Sequence, residues 1–384
     1  MFPDTPVHVR SQHDQQPGLR DDGPKEECGV FGVSTPHGEG IAQLAFFGLF
    51  ALQHRGQEAA GIAVSDGSRV RCHKDTGLVA NVFTPATMAT LTGYHAIGHT
   101  RYSTTGANAH RNHQPFLVET MHGPLAVAHN GNLVNAGALR EELLAKGFGL
   151  TATSDTEVLT LMLAAAGGKT WEDRIERTLP AWKGAYSLVL VVNDRVIAVR
   201  DPWGFRPMSV GRLPHGGYAV ASETCALDII GADFVREVEN GEVAVITEQG
   251  LESHRFVPKY PARLCIFEYI YFARPDSMVG GRSVYEVRKE MGRQLALEAP
   301  ADADVVVPIP DSGVPAAIGF SQGTGIPFEL GIIRNHYVGR TFIEPEQRIR
   351  QLGVKLKHSS NRGQIEGKRI VLIDDSVVRG TTSV

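Results

Sequence analysis

Ile370-Val-Leu-Ile-Asp-Asp-Ser-Val-Val-Arg-Gly-Thr-Thr-Ser383 is the stretch on which the reading of the fold turns. Four apolar residues, Ile370 to Ile373, spell a buried strand, which delivers two adjacent carboxylates, Asp374 and Asp375, toward a Gly380-Thr-Thr382 turn. Such a turn presents backbone amides and hydroxyls to a phosphate, where the next helix would begin. The carboxylates then lie within reach of the sugar hydroxyls and metal of the same ligand. Only Val384 follows, so the helix that would complete this site is expected to be missing.

Upstream, Val305-Val-Val-Pro308 reads as a second strand, running into the turn Pro310-Asp-Ser-Gly313 and an apolar helix start. Before it, Ser283-x-x-Glu286 has the pattern of a capping box and introduces a helix with Val284, Val287, Met291 and Leu295 at its apolar positions. Helix, strand, glycine turn and strand in this order predict a parallel α/β sheet. Around Pro258-Lys-Tyr-Pro261 the composition is linker-like. From Cys28 to about residue 255 the texture is β-rich, with strands expected at Cys28 to Val33, Tyr186 to Val192 and Glu242 to Ile246. Helices are expected over 46–58 and over 154–166, the second opened by Ser154-x-x-Glu157, again a capping-box pattern. Residues 1–27 have no hydrophobic periodicity and read as a disordered leader. The chain thus divides into a leader (1–27), a β-rich domain (28–257) and an α/β domain (258–384).

The totals agree with a soluble globular protein: 384 residues, 42% hydrophobic and 21% charged, are enough for two ordinary cores. A formal charge of −4 and the lack of a basic stripe argue against a nucleic-acid partner. No apolar run approaches the ~20 residues needed to cross a bilayer. The N-terminus also lacks the apolar stretch of a secretory signal, so the expected location is the cytoplasm. Cys28, Cys72, Cys225 and Cys265 are scattered with no Cys-x-x-Cys, which argues against a disulfide framework. Cys72 and Cys225 carry no motif and read as structural.

Five segments carry chemistry in the β-rich part. They are Glu-Glu-Cys28-Gly-Val-Phe-Gly, Gln53-His-Arg-Gly-Gln-Glu-Ala-Ala-Gly61, Gly98-His-Thr-Arg-Tyr-Ser-Thr-Thr-Gly106, Ala128-His-Asn-Gly-Asn132 and Thr153-Ser-Asp-Thr-Glu157. Taken singly, each has a plain reading. Cys28 could be a small buried strand residue, Asn130-Gly131 a hairpin turn, and Asp155 an acid at a helix start. His95 and His99 have the i, i+4 spacing of a metal pair, but Gly98 and the β-like context spoil a helical ligand face. Taken together, the segments resemble the class II glutamine amidotransferases, whose glutaminase domain is an N-terminal-nucleophile (Ntn) αββα sandwich.

That resemblance implies that Cys28 is the nucleophile. A free thiol, with a pKa of ~8.5, is mostly protonated at neutral pH and needs a base. The α-amine of an N-terminal residue titrates at ~7.7–8.0 and suits the task. Such an amine exists only if the chain is cut between Glu27 and Cys28, which would make residues 1–27 a propeptide. By the same resemblance, Arg101 holds the glutamine α-carboxylate and Asp155 its α-ammonium. The Asn130 side chain and the Gly131 amide form the oxyanion hole.

The later segments extend the likeness. Leu264-Cys-Ile-Phe-Glu-Tyr-Ile-Tyr-Phe-Ala-Arg-Pro-Asp-Ser277, Pro308-Ile-Pro-Asp-Ser-Gly313, Tyr337-Val-Gly-Arg-Thr-Phe-Ile-Glu-Pro345 and the closing Asp374-Asp375…Gly380-Thr-Thr382 signature are similar to the amidophosphoribosyltransferase family. The signature itself resembles that of type I phosphoribosyltransferases, which bind 5-phosphoribosyl-1-diphosphate (PRPP). The resemblance implies an Ntn glutaminase followed by an incomplete type I phosphoribosyltransferase domain. Ammonia from glutamine would pass through an internal channel to C1 of PRPP, giving 5-phosphoribosylamine for purine nucleotide synthesis. It places Mg²⁺ on Ser312, Asp374 and Asp375, and PRPP on Asp374, Asp375, Arg379, Gly380, Thr381 and Thr382. The basic segment from Arg334 to Lys357 would close over PRPP. In one branch of the family, which also has the long propeptide, Cys265 would be one ligand of a [4Fe–4S] cluster. The other three ligands would lie beyond Val384, so this chain is not expected to assemble the cluster. Purine nucleotides as feedback inhibitors and a homotetramer are also implied. Two alternatives are a chain that keeps only glutaminase activity and a non-catalytic remnant that binds a full-length partner.

Overall fold

The computed structural model describes residues 28–38, 40–102, 110–335 and 358–376. Its first part consists of two antiparallel sheets packed face to face. The first has seven strands in the order Asp233–Glu237, Ser209–Arg212, Tyr218–Ala221, Gly29–Ser34, His95–Arg101, Ala59–Ser65 and Val70–Thr76. The second has six: Gly250–Arg255, Glu242–Thr247, Arg195–Arg200, Gly184–Val192, Gly123–Leu133 and Phe116–Thr120.

Strand periodicity explains the layering. Along Gly29–Ser34, Val30 points into the space between the sheets, while Phe31 and Val33 point outward against the helix Ile41–Ala51. Along Gly184–Val192, Val189 and Val191 face the first sheet, and Leu188, Leu190 and Val192 meet the helical layer that contains Asp155–Ala165. Both faces of the central strands are therefore apolar, and strands such as Gly184–Val192 read as continuous hydrophobic runs, while the edge strands Val70–Thr76 and Gly250–Arg255 are polar and partly exposed. Each fully buried Val or Leu stabilises by about 1.5–3 kcal/mol. The outcome is a helix–sheet–sheet–helix sandwich.

The helix expected over 46–58 runs instead over Ile41–Ala51. Side-chain bonds hold the next residues out of helical register: the Val79 amide donates to Gln53 Oε1 at 2.7 Å, and Gln53 Nε2 donates to the Gly56 carbonyl at 2.5 Å. Neither expected capping box closes. Ser154 Oγ accepts from the Thr156 amide at 3.2 Å, but Glu157 turns away to accept from the amides of Thr151 and Ala152, each at 2.8 Å. Ser283 Oγ accepts from the Glu286 amide at 3.4 Å, while the Glu286 carboxylate pairs with Lys289 at 3.3 Å. A complete box forms at Thr170 and Asp173 instead.

After Val257 the chain runs irregularly to a π-helical turn, Glu268–Phe272, and then to the helix Val284–Glu298. The strands Val305–Pro308 and Ile370–Ile373 pair in parallel, Val305 opposite Ile370 and Pro308 opposite Ile373, with the helix Val314–Thr324 following the first. The two helices touch backbone to backbone: a Cβ on Gly292 would lie 1.9 Å from the Ala316 carbonyl oxygen, and one on Gly319 would lie 1.9 Å from that of Lys289. Leu295, expected on the buried face, is therefore 39% exposed, because Gly292 and Ala296 occupy the contact side.

Candidate active site

Cys28 lies just before the strand Gly29–Ser34, whose Gly29 pairs with Thr100. The side chain is buried, and its Sγ is 3.4 Å from the carbonyl oxygen of Tyr102. The Cys28 carbonyl accepts a hydrogen bond from Arg55 Nε at 3.1 Å.

Arg101 closes the strand His95–Arg101, and its buried guanidinium donates from Nη1 to the Asn112 carbonyl at 2.9 Å. The Asn112 side chain then pairs twice with Thr153: Nδ2 donates to Thr153 Oγ1, and Oδ1 accepts from the Thr153 amide, both at 2.9 Å. Two residues on, Asp155 starts its helix, and its Oδ2 accepts from the Leu133 amide at 3.0 Å. Burial alone would raise the pKa of Asp155. The neighbouring His129 imidazole, 3.6 Å away, and the amides of Leu133 and Thr156 outweigh this and hold the carboxyl below its ordinary value. Asn112 thus joins the cation and the anion expected to hold glutamine. Its sequence signal was too weak to find it, since an asparagine in a loop has many uses.

Asn130 and Gly131 lie within the strand Gly123–Leu133, opposite Ser187 and Tyr186, and not in a hairpin turn. Asn130 is fully buried, and among the described residues neither its Nδ2 nor its Oδ1 has a partner. Gly131 has φ 148°, and a Cβ there would lie 2.1 Å from the Ala185 carbonyl oxygen, so only glycine fits. His95 and His99 make separate bonds. His95 Nδ1 meets Ser34 Oγ at 2.9 Å, and His99 Nε2 meets the His129 carbonyl at 3.2 Å. Burial, followed by the charge of Arg101, holds His99 neutral, so its Nε2–H is the donor.

The second expected site lies where the two parallel strands end. The Ile309 amide donates to the Ile373 carbonyl at 2.8 Å, which sets the turn bearing Ser312 beside Asp374 and Asp375. Asp374 is pushed up to about 6 by burial and by the charge of Asp375. Asp375 Oδ2 is buried and has no partner among the described residues. Tyr271 is pushed up to about 12, chiefly by burial and then by the nearby Asp375. Arg379, Gly380, Thr381 and Thr382 lie outside the described residues, as do the leader and most of the expected closing loop.

A family profile described as a glutamine amidotransferase domain matches residues 99–228. The amidophosphoribosyltransferase of Synechococcus elongatus is 52% identical over 369 residues, covering 95% of this chain and 75% of that protein. The chain belongs to the amidophosphoribosyltransferase family. Among solved structures, the glutamine PRPP amidotransferase from B. subtilis complexed with ADP and GMP matches with a TM-score of 0.86 and 47% identity, over 93% of this chain and 77% of that one. A structure described as the allosteric regulatory enzyme of purine biosynthesis gives a TM-score of 0.87 at 47% identity, over 93% and 76%. The chain spans about three quarters of the length of these relatives. It shares the family's two-part architecture, a glutaminase-type sandwich followed by an α/β part, and with it the family's glutamine-dependent transferase chemistry.

The donor set at the amidophosphoribosyltransferase strand ends suits a hard cation. Two carboxylates, one with an orphaned oxygen, and a serine hydroxyl provide oxygen ligands, and magnesium takes its remaining positions from water and substrate phosphates. For a [4Fe–4S] cluster, the ligand that the resemblance places within this chain is Cys265. Cys265 supplies one thiolate at most. Cys225 is buried against the Ala51 carbonyl and Glu223, and Cys72 lies against the Pro115 carbonyl. A [4Fe–4S] cluster takes four such ligands, of which the described residues include Cys265. Among those residues, no helix is long and apolar enough to cross a membrane.

Proposed function

We propose that this amidophosphoribosyltransferase draws ammonia from glutamine at Cys28 and delivers it to C1 of PRPP at the strand ends bearing Asp374 and Asp375. Asn130 carries the reading. A buried amide left without partners costs about 1–3 kcal/mol, a cost understandable where a donor awaits charge that forms only during reaction.

Arg101 holds the glutamine α-carboxylate and Asp155 its α-ammonium. Once the Glu27–Cys28 bond is cut, the new α-amine takes the thiol proton as Sγ attacks the carboxamide carbon. Asn130 Nδ2–H and the Gly131 amide receive the oxyanion. As the tetrahedral species collapses, the amine returns its proton to the leaving nitrogen, and ammonia departs from a γ-glutamyl thioester. Water attacks that thioester, giving up a proton to the same amine, and glutamate is released. At the second site, Asp374, Asp375, Arg379, Gly380, Thr381 and Thr382 hold PRPP. The ammonia lone pair forms the C1–N bond as the C1–O bond to diphosphate breaks, and the ammonium so formed gives one proton to the departing diphosphate, leaving 5-phosphoribosylamine. Ser312, Asp374 and Asp375 would hold Mg²⁺, which when bound neutralises the diphosphate leaving group. Feedback by purine nucleotides belongs to this reading, supported by the B. subtilis relative complexed with ADP and GMP. A homotetramer is the proposed assembly.

The test is Cys28→Ala. Glutamine-driven diphosphate release from PRPP should disappear, while release driven by added ammonium persists. Undiminished glutamine-driven release would overturn the proposal. Mass analysis of active protein should also show Cys28 as the first residue.

A further inference from the structure

The backbone of Cys28 is held from both parts of the chain at once. Arg55, 1% exposed, donates from Nε to the Cys28 carbonyl at 3.1 Å. Its Nη1 donates to Glu223 at 2.7 Å and to Glu268 at 3.0 Å, and its Nη2 to Glu268 at 2.9 Å. Both carboxylates are completely buried. Glu223 also accepts from His54 Nε2 at 2.7 Å, from the Arg274 amide at 2.8 Å and from Ser277 Oγ at 2.7 Å. Arg206 approaches Glu268 at 3.4 Å, which balances the charge of the cluster.

Glu268 comes from beyond the linker. The Tyr260, Arg263 and Cys265 amides donate to the carbonyls of Pro202, Trp203 and Phe205 at 3.0, 2.8 and 3.2 Å, laying this segment along the sandwich. Glu268 then opens the π-helical turn, whose Tyr269 and Ala273 carbonyls accept from Arg288 at 2.6 and 2.9 Å. The turn is therefore braced by the helix Val284–Glu298 of the α/β part.

We infer that Arg55 and Glu268 act as a positioning pair: Glu268, supplied from beyond the linker, fixes the Arg55 guanidinium, and Arg55 fixes the carbonyl of Cys28. The aim of the nucleophile then depends on a carboxylate outside the glutaminase sandwich. Among the described residues, Glu223 is the one carboxylate the sandwich itself bonds to Arg55, so without Glu268 that guanidinium is less firmly fixed. The inference rests on Cys28 being the nucleophile. Misplacing a reacting group by 1 Å costs on the order of 100-fold in rate.

The experiment uses the full chain. Glu268→Gln keeps the volume and removes the charge. The expected result is a fall of ~10- to 100-fold in kcat for glutamine hydrolysis. KM for glutamine should stay within about threefold, because Arg101 and Asp155 are untouched. The ratio of glutamine-driven to ammonium-driven diphosphate release should fall with kcat. Glu268→Asp, which keeps the charge, should recover part of the loss. The double variant Arg55→Lys/Glu268→Gln should be no slower than Arg55→Lys alone, because one residue acts through the other. An unchanged kcat in Glu268→Gln, an unchanged ratio between the two activities, or additive losses in the double variant would each overturn the inference. If Glu268→Gln does not fold, Glu268→Asp against Arg55→Lys gives the same cycle. Failure of the underlying reading shows separately, as glutamine hydrolysis that survives Cys28→Ala.

Discussion

His99 Nε2 lies 3.2 Å from the carbonyl oxygen of His129, a hydrogen bond that ties the two sheets together beside Cys28, the proposed nucleophile. His99 pairs across its sheet with Val30, two residues from Cys28, and His129 precedes Asn130 in the other sheet. The spacing between the Cys28 thiol and Asn130, the proposed oxyanion donor, is thus set in part by a neutral imidazole.

Replacing that imidazole should be felt in both stability and pH dependence. His99→Leu leaves the His129 carbonyl unsatisfied and should destabilise the protein by about 1–3 kcal/mol in denaturant titration. In the folded protein the pKa of His99 is held well below 6.5, chiefly by burial. The unfolded chain therefore binds more protons below that pH, and stability falls as the pH drops through the unfolded value. The variant should show a shallower acid slope than the parent.

Asn130→Ala separates stability from catalysis. Removing an oxyanion donor should lower kcat for glutamine hydrolysis by about 100- to 1000-fold. Because the Asn130 amide has no partner among the described residues, its removal should leave the thermal midpoint unchanged or raised. A variant that loses stability but keeps its rate would show that Asn130 is a packing residue.

Asn112→Ala breaks the side-chain bridge to the turn that carries Asp155, while the backbone carbonyl that receives Arg101 remains. The KM for glutamine should rise by about tenfold, with a smaller change in kcat, because binding is loosened in the ground and transition states alike. Steady-state glutaminase kinetics decide this.

Asp375→Asn removes the carboxylate whose Oδ2 is buried without a partner among the described residues. Half-maximal PRPP-dependent diphosphate release should then require roughly tenfold more Mg²⁺, in line with the loss of one of very few protein oxygen ligands. Glutamine hydrolysis measured without PRPP should change little. An unaltered magnesium requirement would remove Asp375 from the proposed cation site.

The capping boxes show where local pattern stops being informative. Ser154-x-x-Glu157 has the right residues, yet Glu157 caps the backbone of the preceding loop, while the complete box forms at Thr170 and Asp173. A carboxylate takes the nearest unpaired amides, and which those are depends on how distant segments pack. The same reason hid Glu223 and Glu268, which stand 168 and 213 residues from Arg55. An acid alone in a sequence is far more often solvated than buried.

The order of residue types along the chain was enough to point to a β-rich part followed by an α/β part and to the family, and to single out the residues proposed as nucleophile, oxyanion donor and cation ligands. Those features are local: a motif keeps its reactive groups within a few bonds of one another, and strand periodicity declares which faces are apolar. Tertiary structure alone decided that Asn130 sits mid-strand and unpartnered among the described residues, that Asn112 links Arg101 to the Asp155 turn, and that Arg55 shares its charge between both parts of the chain. Hydrogen-bond partners and desolvation arise only when segments far apart in sequence are brought into contact, and no spacing along one strand encodes them.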